Sequence, residues 1–331
     1  MSLPHFLGNF ATPARLDKRV IGPSQQIAYY SLFPGPTHRY RYQSRDALKL
    51  YSPPTVPFPL VVAPPDRDRA AWSNQCNYLD SLPQPGVQPI IASCLRAGCT
   101  ADLAEADVIA NRGTLVDLAM GKEEEYGVSF VDRKLRILGK SFVIQDSDCF
   151  ENVGTRPMTK RPRGIFFSVV RRKIGNHDVI MSGEVDCSSS TDNQPNMKDY
   201  IGLNTIKVPE QWPRPEGGDS YSKWYLQSYL LGVPTLQIGY RNYKNHVFHI
   251  IRKPAKEFLP ELQIYTPMFD PAVDMGRVHA ILSALSAYFR ALGPSVSATD
   301  RFVLRVGANG DAYIAAPKTL RTRRPRDRRA P

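Results

Sequence analysis

The chain of 331 residues is 42% apolar and 10% aromatic, enough to close a large core and to exclude a disordered or fibrous polymer. No run approaches the roughly 18 apolar residues of a membrane helix, and Met1-Ser2-Leu3-Pro4-His5 lacks a secretory leader's layout, so an intracellular protein with no membrane partner is expected. The net charge of +12 is local, with seven Lys/Arg and no acid from Arg156 to Lys173 and seven against one Asp from Lys318 to Pro331, a pattern that suits phosphate binding at particular places.

Residues 1–65 are rich in Pro, Tyr and Arg and read as extended segments wrapped over a core. The spacing of Leu103, Val108, Ile109, Leu115 and Leu118 predicts a helix between Thr100 and Met120 with Arg112 inside it. Short alternating segments between Tyr126 and Val143 predict strands, and Ile165–Val170 another, paired antiparallel through Gly175-Asn176 with a strand containing Val179-Ile180-Met181. Tyr200–Ile206 is expected to continue the same sheet. Tyr221, Trp224, Tyr225, Gln227 and Leu231 recur at helical spacing until Gly232-Val233-Pro234 stops them. Thr235–Arg241 and His246–Ile251 read as a hairpin. Met275, Val278, Ile281, Leu282, Leu285, Phe289 and Leu292 define an amphipathic helix, and Phe302–Val306 with Ala312–Ala315 a last hairpin.

These elements predict an α+β fold, a mixed and largely antiparallel sheet flanked by helices, with a nuclease-like metal-binding cleft. One domain is expected over 1–316, followed by a disordered basic tail at 317–331 that reads equally well as a nuclear-import segment. Cys76, Cys94, Cys99, Cys149 and Cys187 are odd in number and lack C-x-x-C spacing, so core thiols are expected. His177, His246 and His249 have no partner pattern and read as structural.

The chemistry concentrates in Ser182-Gly183-Glu184-Val185-Asp186-Cys187. On an extended strand residues i and i+2 share a face, so Glu184 and Asp186 would point the same way. Two such carboxylates repel unless a cation sits between them, and hard oxygen ligands suit Mg²⁺ or Mn²⁺. Arg112, Glu151 and Gln227 also interrupt apolar patterns, where buried polar groups need a partner or a ligand.

Taken in order, these segments resemble the DXO/Rai family of RNA decapping nucleases, over about half the chain from Asp107 to Leu292. Asn111-Arg112-Gly113-Thr114-Leu115 is similar to the family's first motif, Phe150-Glu151 to the core of its second, and Gly183-Glu184-Val185-Asp186-Cys187 to its third. Trp224-Tyr225-Leu226-Gln227-Ser228-Tyr229-Leu230-Leu231-Gly232-Val233-Pro234 is similar to the fifth. The fourth departs: where the family carries glutamate and lysine two apart, this chain has Gly202 and Asn204.

The resemblance implies Glu151, Glu184, Asp186 and the Leu203 main-chain carbonyl as metal ligands, and Glu151, Glu184, Asp186 and Gln227 as catalytic residues. It also implies that Arg112 and Gln227 bind substrate. A divalent cofactor, Mg²⁺ or Mn²⁺, and RNA 5′ ends as substrate follow, with a 5′-3′ exoribonuclease as a candidate protein partner and the nucleus, with the cytoplasm as a second place, as location. The implied activity is hydrolytic removal of incomplete or NAD-type caps in RNA quality control, with 5′-3′ exonuclease activity alongside. One lost electrostatic contact is worth roughly 3 to 4 kcal/mol of transition-state stabilisation, so Gly202 and Asn204 leave an alternative: a catalytically impaired paralogue that holds RNA ends or a partner exonuclease. A DNA-acting nuclease fits the two acids but not the Trp224–Pro234 helix.

Overall fold

The computed structural model describes residues 4–17, 20–33, 39–53, 60–61, 86–138, 155–156, 164–207, 218–242, 246–293, 296–297 and 300–315. In chain order the elements begin with β1 (His5–Asn9), β2 (Gln25–Phe33), β3 (Arg39–Tyr42), β4 (Lys49–Tyr51) and β5 (Leu60–Val61). Helices α1 (Gln88–Arg96) and α2 (Thr100–Glu105) precede β6 (Val108–Asn111), α3 (Arg112–Ala119), β7 (Glu124–Val131) and β8 (Lys134–Leu138). Then come β9 (Thr155–Arg156), β10 (Ile165–Ile174), β11 (His177–Glu184), β12 (Cys187–Ser188), β13 (Tyr200–Lys207), α4 (Gly218–Leu231), β14 (Thr235–Arg241) and β15 (His246–Pro254). The last are α5 (Ala255–Tyr265), α6 (Pro271–Leu292), β16 (Phe302–Val306) and β17 (Asp311–Ala315).

Among the described residues the strands form two sheets, a ten-stranded one in the order β1-β17-β16-β7-β8-β6-β11-β10-β2-β3 and a seven-stranded one in the order β5-β15-β14-β13-β12-β4-β9. Pairing is mixed: β6 runs parallel to both β8 and β11, and β13 parallel to β14. One buried cluster takes Val108, Tyr126 and Met181 from the first sheet, Tyr200, Leu236 and Ile238 from the second, and Leu226, Leu230, Met275, Ile281 and Phe289 from α4 and α6. The apolar stripe of α6 is thereby buried from Met275 to Phe289, as its spacing demands, with Leu292 half-buried at its end.

Two expectations are corrected. The helix expected between Thr100 and Met120 is broken by β6, because Val108 and Ile109 fill a central parallel position between β11 and β8, where β-branched residues pack well. Tyr200–Ile206 does not continue the sheet of the β10–β11 hairpin but lies centrally in the second sheet, between β12 and β14. The acids therefore sit where the chain passes from one sheet to the other.

Candidate active site

β11 ends at Glu184, opposite Phe167 of β10, and the Val185 N–H still donates to the Phe166 carbonyl at 3.0 Å. Two residues later Cys187 is already in the second sheet, flanked by Ile201 on one side and Lys49 on the other. Glu184 therefore closes β11, and Asp186 lies in the two-residue passage from β11 to β12. The charges of both acids act on Arg112.

Arg112 opens α3 directly after β6, whose Asn111 is in register with Ser182. Its Nη1 donates to the Glu184 main-chain oxygen at 2.9 Å. The side chain lies against Gly183, where a Cβ would stand 2.8 Å from Cδ and 2.9 Å from Nε. Burial lowers the Arg112 pKa, and the charges of Asp186 and Glu184 oppose that shift, so the guanidinium keeps its charge. Its Nε has no hydrogen-bond partner among the described residues, a donor left for an anion.

The Asp186 carboxyl is buried, which raises its pKa, while the Leu203 N–H, Arg112 and Lys49 pull it back. Leu203 N–H donates to Asp186 Oδ2 at 2.5 Å. In a strand the N–H and C=O of one residue project to the same edge, so the Leu203 carbonyl also faces the Asp186 side. Gly202 is beside them: a Cβ there would lie 3.9 Å from Asp186 Oδ2, 3.5 Å from Ser228 Oγ and 3.0 Å from Leu236 Cδ2. A side chain at 202 would therefore project between Asp186 and α4. Asn204, two residues on, is buried. Gln227 is half-buried on α4 next to Ser228. Glu151 lies outside the described residues.

A buried carboxylate, a second one across the seam and an edge-facing carbonyl are hard oxygen donors of the kind that Mg²⁺ and Mn²⁺ take. The donor set fits such an ion, although no three His, Cys, Asp or Glu side chains come together among the described residues. Sequence reasoning passed over Lys49 and gave Gly183 and Ser228 no role beyond their motifs. A lysine between Leu48 and Leu50 in a strand was a signal for the first; the others depend on contacts that no spacing reveals.

Two arginines of the basic run Arg156–Lys173 are committed elsewhere. Arg171 is paired with Asp102 at 3.0 Å, Glu105 at 2.8 Å and Asp178 at 3.3 Å. Arg172 is buried with its guanidinium 4.2 Å from the Tyr229 ring centroid, and it donates to Ser24 Oγ at 3.2 Å and to the Tyr229 carbonyl. These two arginines fasten α2 and α4 to β10 and leave Lys173 as the exposed member of this end of the run. Residues 157–163 lie outside the described residues.

The RAI1-like PD-(D/E)XK nuclease family model matches residues 155–312. The decapping and exoribonuclease protein of Bos taurus is 32% identical over 162 residues, which are 46% of this chain and 39% of the cow protein. The chain thus spans less than half the length of the curated relative it matches. Rai1 of S. pombe, solved with 3′-FADP, superposes with a TM-score of 0.71 over 95% of this chain and 99% of its own at 17% identity. Candida albicans Rai1, solved with pU5 and Mn²⁺, gives 0.66 over 95% and 93% at 13% identity. The structural likeness carries the fold across both sheets, and the sequence likeness runs through the seam that holds Glu184 and Asp186: from residue 155 to 312 the chain matches the RAI1-like PD-(D/E)XK nucleases, the group that the DXO/Rai resemblance implied.

Proposed function

We propose that the chain is a divalent-metal-dependent hydrolase of RNA 5′ ends that removes incomplete or NAD-type caps in RNA quality control, with 5′-3′ exonuclease activity on the exposed end. The observation that carries this reading is the half-buried Asp186 at the seam, its carboxylate held by the Leu203 N–H, with an Arg112 guanidinium that feels the charge of both Asp186 and Glu184. A carboxyl pKa raised by burial in a cleft marks a candidate functional acid, and here the neighbours are an arginine whose Nε has no partner among the described residues and a Gly202 that brings no side chain.

When bound, Mg²⁺ or Mn²⁺ activates water and neutralises charge on the phosphoryl oxygens. Glu184, Asp186 and the Leu203 carbonyl would hold it, with Glu151 as a further ligand implied by the family. Arg112 would bind the terminal phosphate through Nε, its Nη1 staying on the Glu184 carbonyl, and Gln227 would orient the scissile group from α4. The S. pombe and Candida albicans proteins, solved with 3′-FADP and with pU5 and Mn²⁺, support a nucleotide substrate and a divalent ion. A nuclear location and a 5′-3′ exoribonuclease partner are part of the same proposal.

Gly202 favours a second reading, an impaired paralogue that binds RNA ends without cutting them, because no side chain projects beside Asp186 from β13. End-labelled RNAs with a triphosphate, unmethylated cap or NAD cap, incubated with Mn²⁺ or Mg²⁺, separate the two. Metal-dependent release that disappears in Glu184→Ala and Asp186→Ala supports the hydrolase. Tight, salt-sensitive binding without release supports the second reading, and Gly202→Glu with Asn204→Lys should then restore cleavage.

A further inference from the structure

The last turns of α4 abut the seam. Ser228 Oγ lies 3.5 Å from where a Gly202 Cβ would stand, and Gln227 precedes it in the chain. Just past these two residues the helix end is held from outside. The Ser228 carbonyl takes both the Gly232 and the Val233 N–H, at 2.8 and 2.9 Å, which leaves the Tyr229 and Leu230 carbonyls for partners beyond the helix. Arg172 Nη1 donates to the Tyr229 carbonyl and, at 3.2 Å, to Ser24 Oγ. Ser24 Oγ donates in turn to the Leu230 carbonyl at 2.9 Å, and Gly232, with φ +77°, closes on Ser24 so tightly that a Cβ would stand 2.9 Å from the serine Cβ. Arg172 is buried, its Nε has no hydrogen-bond partner, and no carboxylate pairs with it among the described residues. A buried cation without a counter-ion is costly, and what offsets the cost here is the negative end of α4 and the face of the Tyr229 ring. Arg172 belongs to β10, the strand that also carries Phe167, the register partner of Glu184. One strand is thus fixed to the acid at one point and to the end of α4 at another.

We propose that Arg172, with Ser24 as its relay, is a positioning residue for Gln227: it fixes how far α4 advances along its axis against β10, and so holds the Gln227 amide in step with the acid that closes β11. Arg172 itself touches no substrate. The inference rests on the reading of Gln227 as a substrate ligand and, for turnover alone, on the hydrolase reading.

The full chain is compared with Arg172→Met, Ser24→Ala and Gln227→Ala, and with each of the first two combined with Gln227→Ala. Cleavage of 5′-end-labelled RNA in Mn²⁺, affinity toward 5′-phosphorylated pentauridylate in Ca²⁺, and urea unfolding are measured. A residue that acts through Gln227 has nothing further to lose once the amide is gone, whereas a residue that only supports the fold loses the same factor in either background. Arg172→Met is expected to slow cleavage about tenfold and to weaken oligonucleotide binding about fivefold, and both losses should vanish in the Gln227→Ala background. Ser24→Ala should shift both in the same direction by less, and it carries the test if Arg172→Met does not fold. Equal losses in both backgrounds overturn the inference. So does an Arg172→Met that is less stable in urea but, when fully folded, binds and cleaves as wild type does. A Gln227→Ala that binds and cleaves like wild type overturns it as well, since nothing is then left to position. A wild type that never cleaves refutes the hydrolase reading alone, because the affinities still decide the role of Arg172.

Discussion

Gly183 is bare because the Arg112 side chain occupies the place of its Cβ, 2.8 Å from Cδ. A methyl group there must push aside a guanidinium that is buried and tied to the Glu184 carbonyl at 2.9 Å. Gly183→Ala should therefore cut the affinity for a 5′-phosphorylated RNA about tenfold, the worth of one charged hydrogen bond, while fold stability falls by less than in a core cavity variant. Filter binding beside urea unfolding checks it, and unchanged affinity would show that Arg112 is not the phosphate ligand. The glycine was legible as part of a motif, but its physical reason was not, since it depends on a residue far away in sequence. A second acid offers a pH signature. Asp274, in the first turn of α6, is pushed up to about 6 by burial, with Asp270 adding to the shift and Arg277 opposing it. A folded pKa above the unfolded value of 3.8 means that the folded chain holds the proton more tightly. The stability so gained is fully present below pH 4 and is lost as pH rises through 6, on the order of 2 kcal/mol. In Asp274→Asn that loss should vanish, so the variant gains on wild type between pH 4 and 7.5 in urea titrations. Parallel pH profiles would refute it.

At the scale of elements, hairpins and the long helix were legible because their signals are local. Gly175-Asn176 between apolar runs marks the β10–β11 turn, and the register from Phe167↔Glu184 to Ile174↔His177 follows from it. The α6 stripe is legible because every one of its apolar positions finds the same core. Two features were hidden. A helical spacing from Leu103 to Leu118 is also compatible with helix, strand and helix, and only the parallel partners of β6 decide between them. The passage from one sheet to the other at Val185 depends on what Asp186 and Cys187 meet across space, so a run of strands reads as one sheet. The β10–β11 turn is also a contact with α6: Gly175 has φ +64°, and a Cβ on it would overlap the His279 ring. Gly175→Ala carries both a left-handed backbone penalty and this clash, so it should destabilise by about 2 kcal/mol or more. His279→Ala in the same chain removes the clash but not the backbone cost and should return part of the loss. If the double variant is no more stable than Gly175→Ala, the ring contact contributes nothing.

Across the whole molecule, both sheets share one buried cluster with α4 and α6, so the seam that carries Asp186 and Glu184 is held from both sides by the same core. The concentration of charge was legible in the sequence, but its use was not. Arg171 and Arg172 belong to the basic run by sequence, whereas one is spent on three acids and the other on α4. The beginning of the described chain is built into the same unit. β1 pairs with β17, Leu16 N–H donates to the Ala272 carbonyl at 3.0 Å, and Arg277 Nε donates to the Phe10 carbonyl at 3.0 Å. The segment crosses α6 at Gly276, where a Cβ would overlap the Ala14 carbonyl oxygen, a backbone atom that cannot rotate away. Gly276→Ala must therefore lift the whole crossing, and with it Leu7, Phe10 and Leu16, which pack on the shared core. The expected cost is about 2 kcal/mol or more, seen as a lower midpoint in a single unfolding transition, because the strap and the core are one cooperative unit. Calorimetry decides: a separate early transition, with the main midpoint unmoved, would mean that residues 4–17 fold on their own account and that the two sheets keep their seam without them.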